Sequence, residues 1–168
     1  SIPDAPSLSA LSAITIEAWI KPTAVGVDGI VSKDDAGVNR EFVFAFFDTR
    51  QIGLYLYSVD PANYLGSKGT TALTLNTWYR VTATWDGVNA VAHIKLYVDG
   101  IEEVLTTDTK VGTGYVPFDG TAPVEIGRYY ADNDQCFSGS IGEVFVYNRG
   151  LSAQEISRNY LATKWRDQ

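Results

Sequence analysis

An all-β chain, folded as an antiparallel sandwich or barrel and closed by one short helix, is what this sequence predicts. Three observations predict it. Apolar residues alternate with a period of two along most of the chain. Turn-forming residues, including many of the 15 glycines, break those runs at near-regular spacing. Helical periodicity occurs once, near the C-terminus. The pattern gives about ten to thirteen short strands.

The first strand spans residues 13–21, with Ile14, Ile16, Ala18 and Ile20 on one face and Thr15, Glu17, Trp19 and Lys21 on the other. It reads as a half-buried strand, and Pro22 closes it because proline cannot donate to a ladder. Residues 41–47 set Phe42, Phe44 and Phe46 against Val43, Ala45 and Phe47, so both faces are expected to be covered. After the polar turn Asp48-Thr49-Arg50, residues 51–57 return as a hairpin, with Ile52, Leu54 and Leu56 on one face and Tyr55 and Tyr57 on the other.

A second hairpin joins residues 78–86 to 92–98. Tyr79, Val81, Ala83 and Trp85 share its inner face with Ala92, Ile94, Leu96 and Val98. Asp86-Gly87 starts the turn, and Asp99-Gly100 makes a tight reversal into a short strand over 101–105. A Gly- and Thr-rich loop follows over 106–121, Val124 and Ile126 mark another strand, and 137–147 is the last long one. The helix opens with a capping box, Ser152 as N-cap and Glu155 three residues on, and Leu151 is placed to staple against Ile156.

The 168 residues suit one domain over 1–168 with a single core. Hydrophobic residues make up 45% and aromatics 12%, which is enough to fill an interior and argues against disorder. The net charge of -7 and pI of about 4.6 leave no basic stripe for phosphates, so nucleic acid is not an expected partner. No apolar run reaches the roughly 20 residues of a membrane helix, and no membrane insertion is expected. The single cysteine, Cys136, excludes an intrachain disulfide and is expected to serve as a small packing residue. Ser1 begins in what reads as a loop, so attachment to further domains of a longer chain is expected.

Ile14-Thr15-Ile16-Glu17-Ala18-Trp19-Ile20-Lys21-Pro22 resembles the opening strand of laminin-G-like jelly-roll domains, of the concanavalin A-like lectin/glucanase superfamily. Ile30-Val31-Ser32-Lys33 resembles that family's next strand. Trp78-Tyr79-Arg80-Val81-Thr82-Ala83-Thr84-Trp85-Asp86-Gly87, Leu96-Tyr97-Val98-Asp99-Gly100 and Glu125-Ile126-Gly127 are similar to later blocks, in the same order. The block from Phe137 to Ser152, followed by Glu155-Ile156, completes the series. The resemblance implies a two-sheet jelly-roll sandwich and an extracellular or cell-surface setting. Gly142 stands where the family often has Asp before Glu143, which weakens the case for calcium.

Catalytic patterns of this fold are missing. Retaining glucanases need two carboxylates roughly 5–5.5 Å apart on one strand, whereas the adjacent Glu102 and Glu103 point to opposite faces. The only histidine, His93, is expected on the strand face of Lys95 and Tyr97, as a surface or groove-lining residue. For a hard cation such as calcium, the best oxygen clusters are Asp132 and Asp134 in one loop and the Asp34-Asp35 pair after the strand 30–33. Sugars need aromatic platforms beside planar hydrogen-bonding groups. Arg128, Tyr129, Tyr130 and Asn133 combine both in the loop 128–134, and Tyr64 and Tyr115 are further loop aromatics. Trp19, Trp78 and Trp85 are expected in the core, and Trp165 is expected to pin the tail.

The function these features support is a non-catalytic recognition module of a secreted or cell-surface protein, with a glycan as ligand. An adhesion or spacer domain contacting extracellular protein is the alternative, and a polysaccharide hydrolase or lyase a remoter one.

Overall fold

The computed structural model describes residues 1–8, 12–35, 39–59, 63–107, 115–129 and 135–164. Within them, eleven strands build two sheets and one helix follows the last strand. The strands are β1 (Ile14–Pro22), β2 (Asp28–Asp35), β3 (Asn39–Phe46), β4 (Ile52–Tyr57), β5 (Tyr64–Gly69), β6 (Tyr79–Trp85), β7 (Ile94–Val98), β8 (Ile101–Glu102), β9 (Leu105–Thr107), β10 (Val124–Ile126) and β11 (Gly139–Tyr147). The helix is α1 (Ala153–Thr163). One sheet runs β11-β1-β6-β7-β8 and the other β10-β2-β3-β4-β5-β9, with antiparallel neighbours throughout. This is a jelly-roll sandwich.

The inward sets of the alternation meet between the sheets. Ile14, Ile16 and Ile20 of β1 and Val81, Ala83 and Trp85 of β6 face Phe42, Phe44 and Phe46 of β3 and Leu54 and Leu56 of β4. Both expected hairpins form, β3 with β4 and β6 with β7. Asp99 and Gly100 both take positive φ, 52° and 76°, as a two-residue reversal of matching twist requires.

Several local expectations change. β1 is buried on both faces, because α1 lies across its outer side. There Trp19 Nε1 donates to Thr163 Oγ1 at 3.1 Å, and its ring meets Tyr160 at 6.1 Å. Beside it the Arg80–Glu17 ion pair, at 3.1 Å, is sealed from solvent, and Asn159 Nδ2 adds a bond of 2.9 Å to Glu17. The span 101–105 divides, since β8 stays in one sheet and β9 crosses to the other. Glu103 holds the crossing by accepting from Thr71 N and Thr71 Oγ1 at 3.0 and 2.8 Å. Ala92 and His93 sit in a 3-10 turn ahead of β7 rather than within it. Finally, Cys136 is exposed instead of packed and Trp78 is only half-buried, while Trp165 lies outside the described residues.

One end of the core holds a buried charge. Lys33 Nζ, fully enclosed, reaches the Glu41 carboxylate, the Gly120 carbonyl at 2.7 Å and Asp4 at 3.0 Å. An irregularity in the β2–β3 ladder beside Lys33 leaves Glu41 out of the pairing register, next to Phe42, whose side chain is in the core.

The capping box of α1 forms as expected, and Leu151 and Ile156 share a cluster with Tyr97. Arg149 and the Ser152 backbone hold the Glu155 carboxyl at a pKa of about 2, below its usual 4.5. Its folded value is depressed, so its contribution is complete above pH 4.5 and is lost as pH falls towards 2. Carbon-13 titration of Glu155 is expected to show a midpoint near 2; one above 4 means that the cap is open in solution.

Candidate functional site

The outer face of the six-stranded sheet carries a second cluster, separate from the main core. Val43 and Ala45 of β3 and Tyr55 and Tyr57 of β4 form its floor, with Phe47 just beyond β3. These are the residues left on the far side by the same alternation that sends Phe42, Phe44, Leu54 and Leu56 inward. Val27, Tyr64 and Tyr129 pack onto it while partly open to solvent. Tyr64 pairs with Tyr57 across β4 and β5, and its ring lies 5.7 Å from that of Tyr55 and 6.1 Å from that of Tyr57.

Polar groups enter this aromatic face at the end where β4 gives way to β5. Arg40 Nε donates to Asp34 Oδ2 at 2.8 Å and Arg40 Nη2 to the Tyr57 hydroxyl at 2.8 Å. The Tyr57 hydroxyl lies 3.5 Å from that of Tyr129. Burial opposes the charge of Arg40, but Tyr57 and Asp34 outweigh it and hold its pKa above the usual value. Burial raises the Tyr57 pKa well above normal, so its hydroxyl keeps its proton at physiological pH.

The segment just after β10 runs across β2 at the edge of this face. Ser32 Oγ donates to the Arg128 carbonyl at 2.9 Å, and Tyr129 N donates to the Gln135 carbonyl at 3.1 Å. Gly29 makes the approach possible, since a Cβ there would stand 2.1 Å from the Arg128 carbonyl oxygen. Arg128 and Tyr129 are thus pinned over β2, with Tyr129 leaning on Tyr57.

The sequence-predicted residues divide accordingly. Tyr64, Tyr129 and Asp34 come together, with Arg128 at the margin. Tyr64 belongs to β5 rather than to a loop, and Asp34 is fully buried within β2 rather than following it. Tyr115 is not a loop platform: it is 5% exposed and its ring meets Trp85 edge-on at 5.7 Å. Tyr130, Asp132, Asn133 and Asp134 lie outside the described residues. Arg40, Tyr55 and Tyr57 were not singled out as site residues, although the exposed-face placement of both tyrosines was legible from alternation.

Calcium does not fit Asp34, because the Arg40 guanidinium already supplies the positive charge against its carboxylate. Asp35, the other half of that pair, ends β2 opposite Asn39. Among the described residues no three His, Cys, Asp or Glu side chains converge as a metal site.

A two-sheet jelly roll with an aromatic outer face defines a lectin-like β-sandwich. The chain belongs to the Laminin_G_3 family of the concanavalin A-like lectin/glucanases superfamily, whose model matches residues 1–157. No curated protein matches it in sequence. Among solved structures it is similar to the heptameric SAP-like pentraxin of Limulus polyphemus, at 20% identity and a TM-score of 0.66, over 89% of this chain and 70% of that one. It is also similar to the Ruminococcus gnavus IT-sialidase CBM40 bound to alpha2,3 sialyllactose, at 18% identity and a TM-score of 0.68, over 90% and 84% of the chains. A third similar structure is Trypanosoma rangeli sialidase, at 21% identity and a TM-score of 0.62, where 90% of this chain covers 23% of that one. At such identities the likeness is one of fold. Among the described residues no helix is long and apolar enough to cross a membrane.

Proposed function

We propose that this domain is a non-catalytic carbohydrate-binding module of an extracellular or cell-surface protein, and that its ligand rests on the outer face of the six-stranded sheet. The observation that carries this reading is the grouping of Tyr64 and Tyr129 against Tyr57, whose hydroxyl the Arg40 guanidinium bonds. Aromatic rings offer surfaces for the C–H faces of a sugar, and phenol hydroxyls and a fixed guanidinium bond its rim. The structure of a related fold with sialyllactose bound supports the class of ligand without fixing which sugar this chain takes. Arg128, which adjoins Tyr129 in the chain, is assigned to the rim of the same site.

A glycan array followed by calorimetry tests it. Tyr129→Ala and Tyr64→Ala are each expected to weaken the best glycan about tenfold or more, roughly 1.4 kcal/mol, with little change in stability. Undiminished binding in both variants, or no glycan bound at all, removes the proposal. Repeating the titration with millimolar calcium and then chelator tests whether Asp132 and Asp134 recruit the ion, as an affinity that depends on calcium.

One observation favours a second role. The nine-residue β11 is an edge strand of its sheet and carries the exposed Phe145, and such edges pair with other chains. In that case the domain is a spacer that contacts protein. Small-angle scattering of the parent protein is then expected to show a fixed pose against its neighbour, and a freely varying one counts against it.

A further inference from the structure

A cavity lies on the opposite side of the sandwich from the aromatic face. It is a groove of about 480 Å³ between the β6–β7 turn and the start of α1, lined by Thr84, Asp86, His93, Lys95, Tyr97 and Ser152 among others. Pockets of roughly 300–1,000 Å³ are the size that holds a small ligand.

Its polar side chains are hydrogen-bonded in pairs. His93 Nδ1 lies 2.8 Å from Asp86 Oδ2, and Lys95 Nζ lies 3.1 Å from Glu102 Oε1. The Tyr97 hydroxyl donates to Glu102 Oε2 at 3.2 Å, and Val88 N donates to Asp86 Oδ1 at 3.0 Å. These partners fix the side chains and leave hydrogen-bonding capacity over. The His93 ring has a second nitrogen, and the Lys95 ammonium has donors beyond the one given to Glu102. Thr84 Oγ1 is taken up by Thr15, so the floor adds little polarity.

Neither an anion nor a cation suits such a wall. Two carboxylates oppose an anion, and the first turn of α1 offers it little, because the Ser152–Glu155 capping box occupies that end. The same carboxylates already hold hydrogen-bond partners, Asp86 with His93 and Val88 N and Glu102 with Lys95 and Tyr97, which opposes a cation. What remains is a groove in which carboxylate acceptors and nitrogen groups with spare bonding capacity lie side by side, the complement of vicinal hydroxyl groups. We propose that this groove is a second binding site, for a neutral polyhydroxyl ligand of monosaccharide size. It would make the module bivalent, with sites on opposite faces.

The proposal stands independently of the aromatic-face reading, and amide NMR separates the two. The probes are methyl α-mannopyranoside, methyl β-galactopyranoside and N-acetylglucosamine, with glucuronate and glucosamine as charged counterparts. The expected result is saturable shifts at residues 86–88, 93–97 and 150–153 with at least one neutral sugar. His93→Ala with Lys95→Ala is expected to weaken that binding about tenfold or more, and Tyr129→Ala to leave it unchanged. Groove shifts with no response around Tyr129 support this site even if the aromatic face fails. Shifts confined to the aromatic face, groove shifts with a charged sugar only, or groove binding that survives the double substitution each overturn it.

Discussion

Lys33→Met is expected to destabilise the domain by about 3–5 kcal/mol, the usual cost of leaving a buried charge without its partner. The ammonium is fully enclosed and serves Glu41, Asp4 and the Gly120 carbonyl together. Methionine fills a similar volume but donates nothing. Burial already pushes the Glu41 carboxyl above its usual 4.5, with Lys33 opposing the shift. Without Lys33 that opposition is gone. An acid whose folded pKa is raised costs stability above its unfolded value and nothing below it. The deficit should therefore be full above the raised folded pKa of Glu41 and shrink from there as pH falls to about 4.5. Lys33→Met with Glu41→Gln is expected to recover most of the loss, since the amide still accepts from Gly120 N. Urea unfolding from pH 4 to 8 measures this, and a single-variant loss below about 1 kcal/mol would contradict the buried pair.

The second large effect is expected at Arg80. Arg80→Ala leaves the buried Glu17 carboxyl without its guanidinium partner, with Thr82, Asn159 and Tyr147 among its remaining side-chain donors, and a loss of about 3–5 kcal/mol is again expected. Here the damage has a local reporter. Arg80 Nη1 also donates to Thr163 Oγ1, the group that Trp19 Nε1 bonds, so sheet and helix are joined through one hydroxyl. Loss of Arg80 should loosen the end of α1, and amide exchange over residues 156–163 should speed up more than exchange in β3 and β4. Uniform acceleration everywhere would mean that the pair stabilises the sandwich as a whole without anchoring the helix.

Both networks show why part of this fold was hidden in the sequence. Alternation placed Glu17 and Trp19 on the outer side of β1, and that placement is correct. Whether the outer side meets water depends on α1, some 140 residues away in the chain. Likewise the strand 30–33 reads as ending at Lys33, with Asp34 and Asp35 in the loop after it. The burial of Lys33 and Asp34 comes from pairing with β3 and from closure by Gly120 and Asp4, none of which is local. β5 was missed for a related reason. Its Leu-Gly-Ser-Lys-Gly composition has the look of a turn, yet small residues suit a strand packed closely against its neighbours.

What the sequence determined by itself is the sandwich, most of its strands and the capped helix. Period-two burial, Asp-Gly reversals and the Ser152–Glu155 box are short-range causes, and each acts within a few residues. The tertiary structure alone decided which exposed-face groups become a site. It brought Asp34 and Arg40 of one ladder to Tyr57 of the next strand and to Tyr129 from beyond β10, and took Tyr115 out of solvent. It also gathered His93, Lys95 and the start of α1 around one groove. Such groupings depend on strand order across two sheets, which long-range pairing sets and local pattern leaves open.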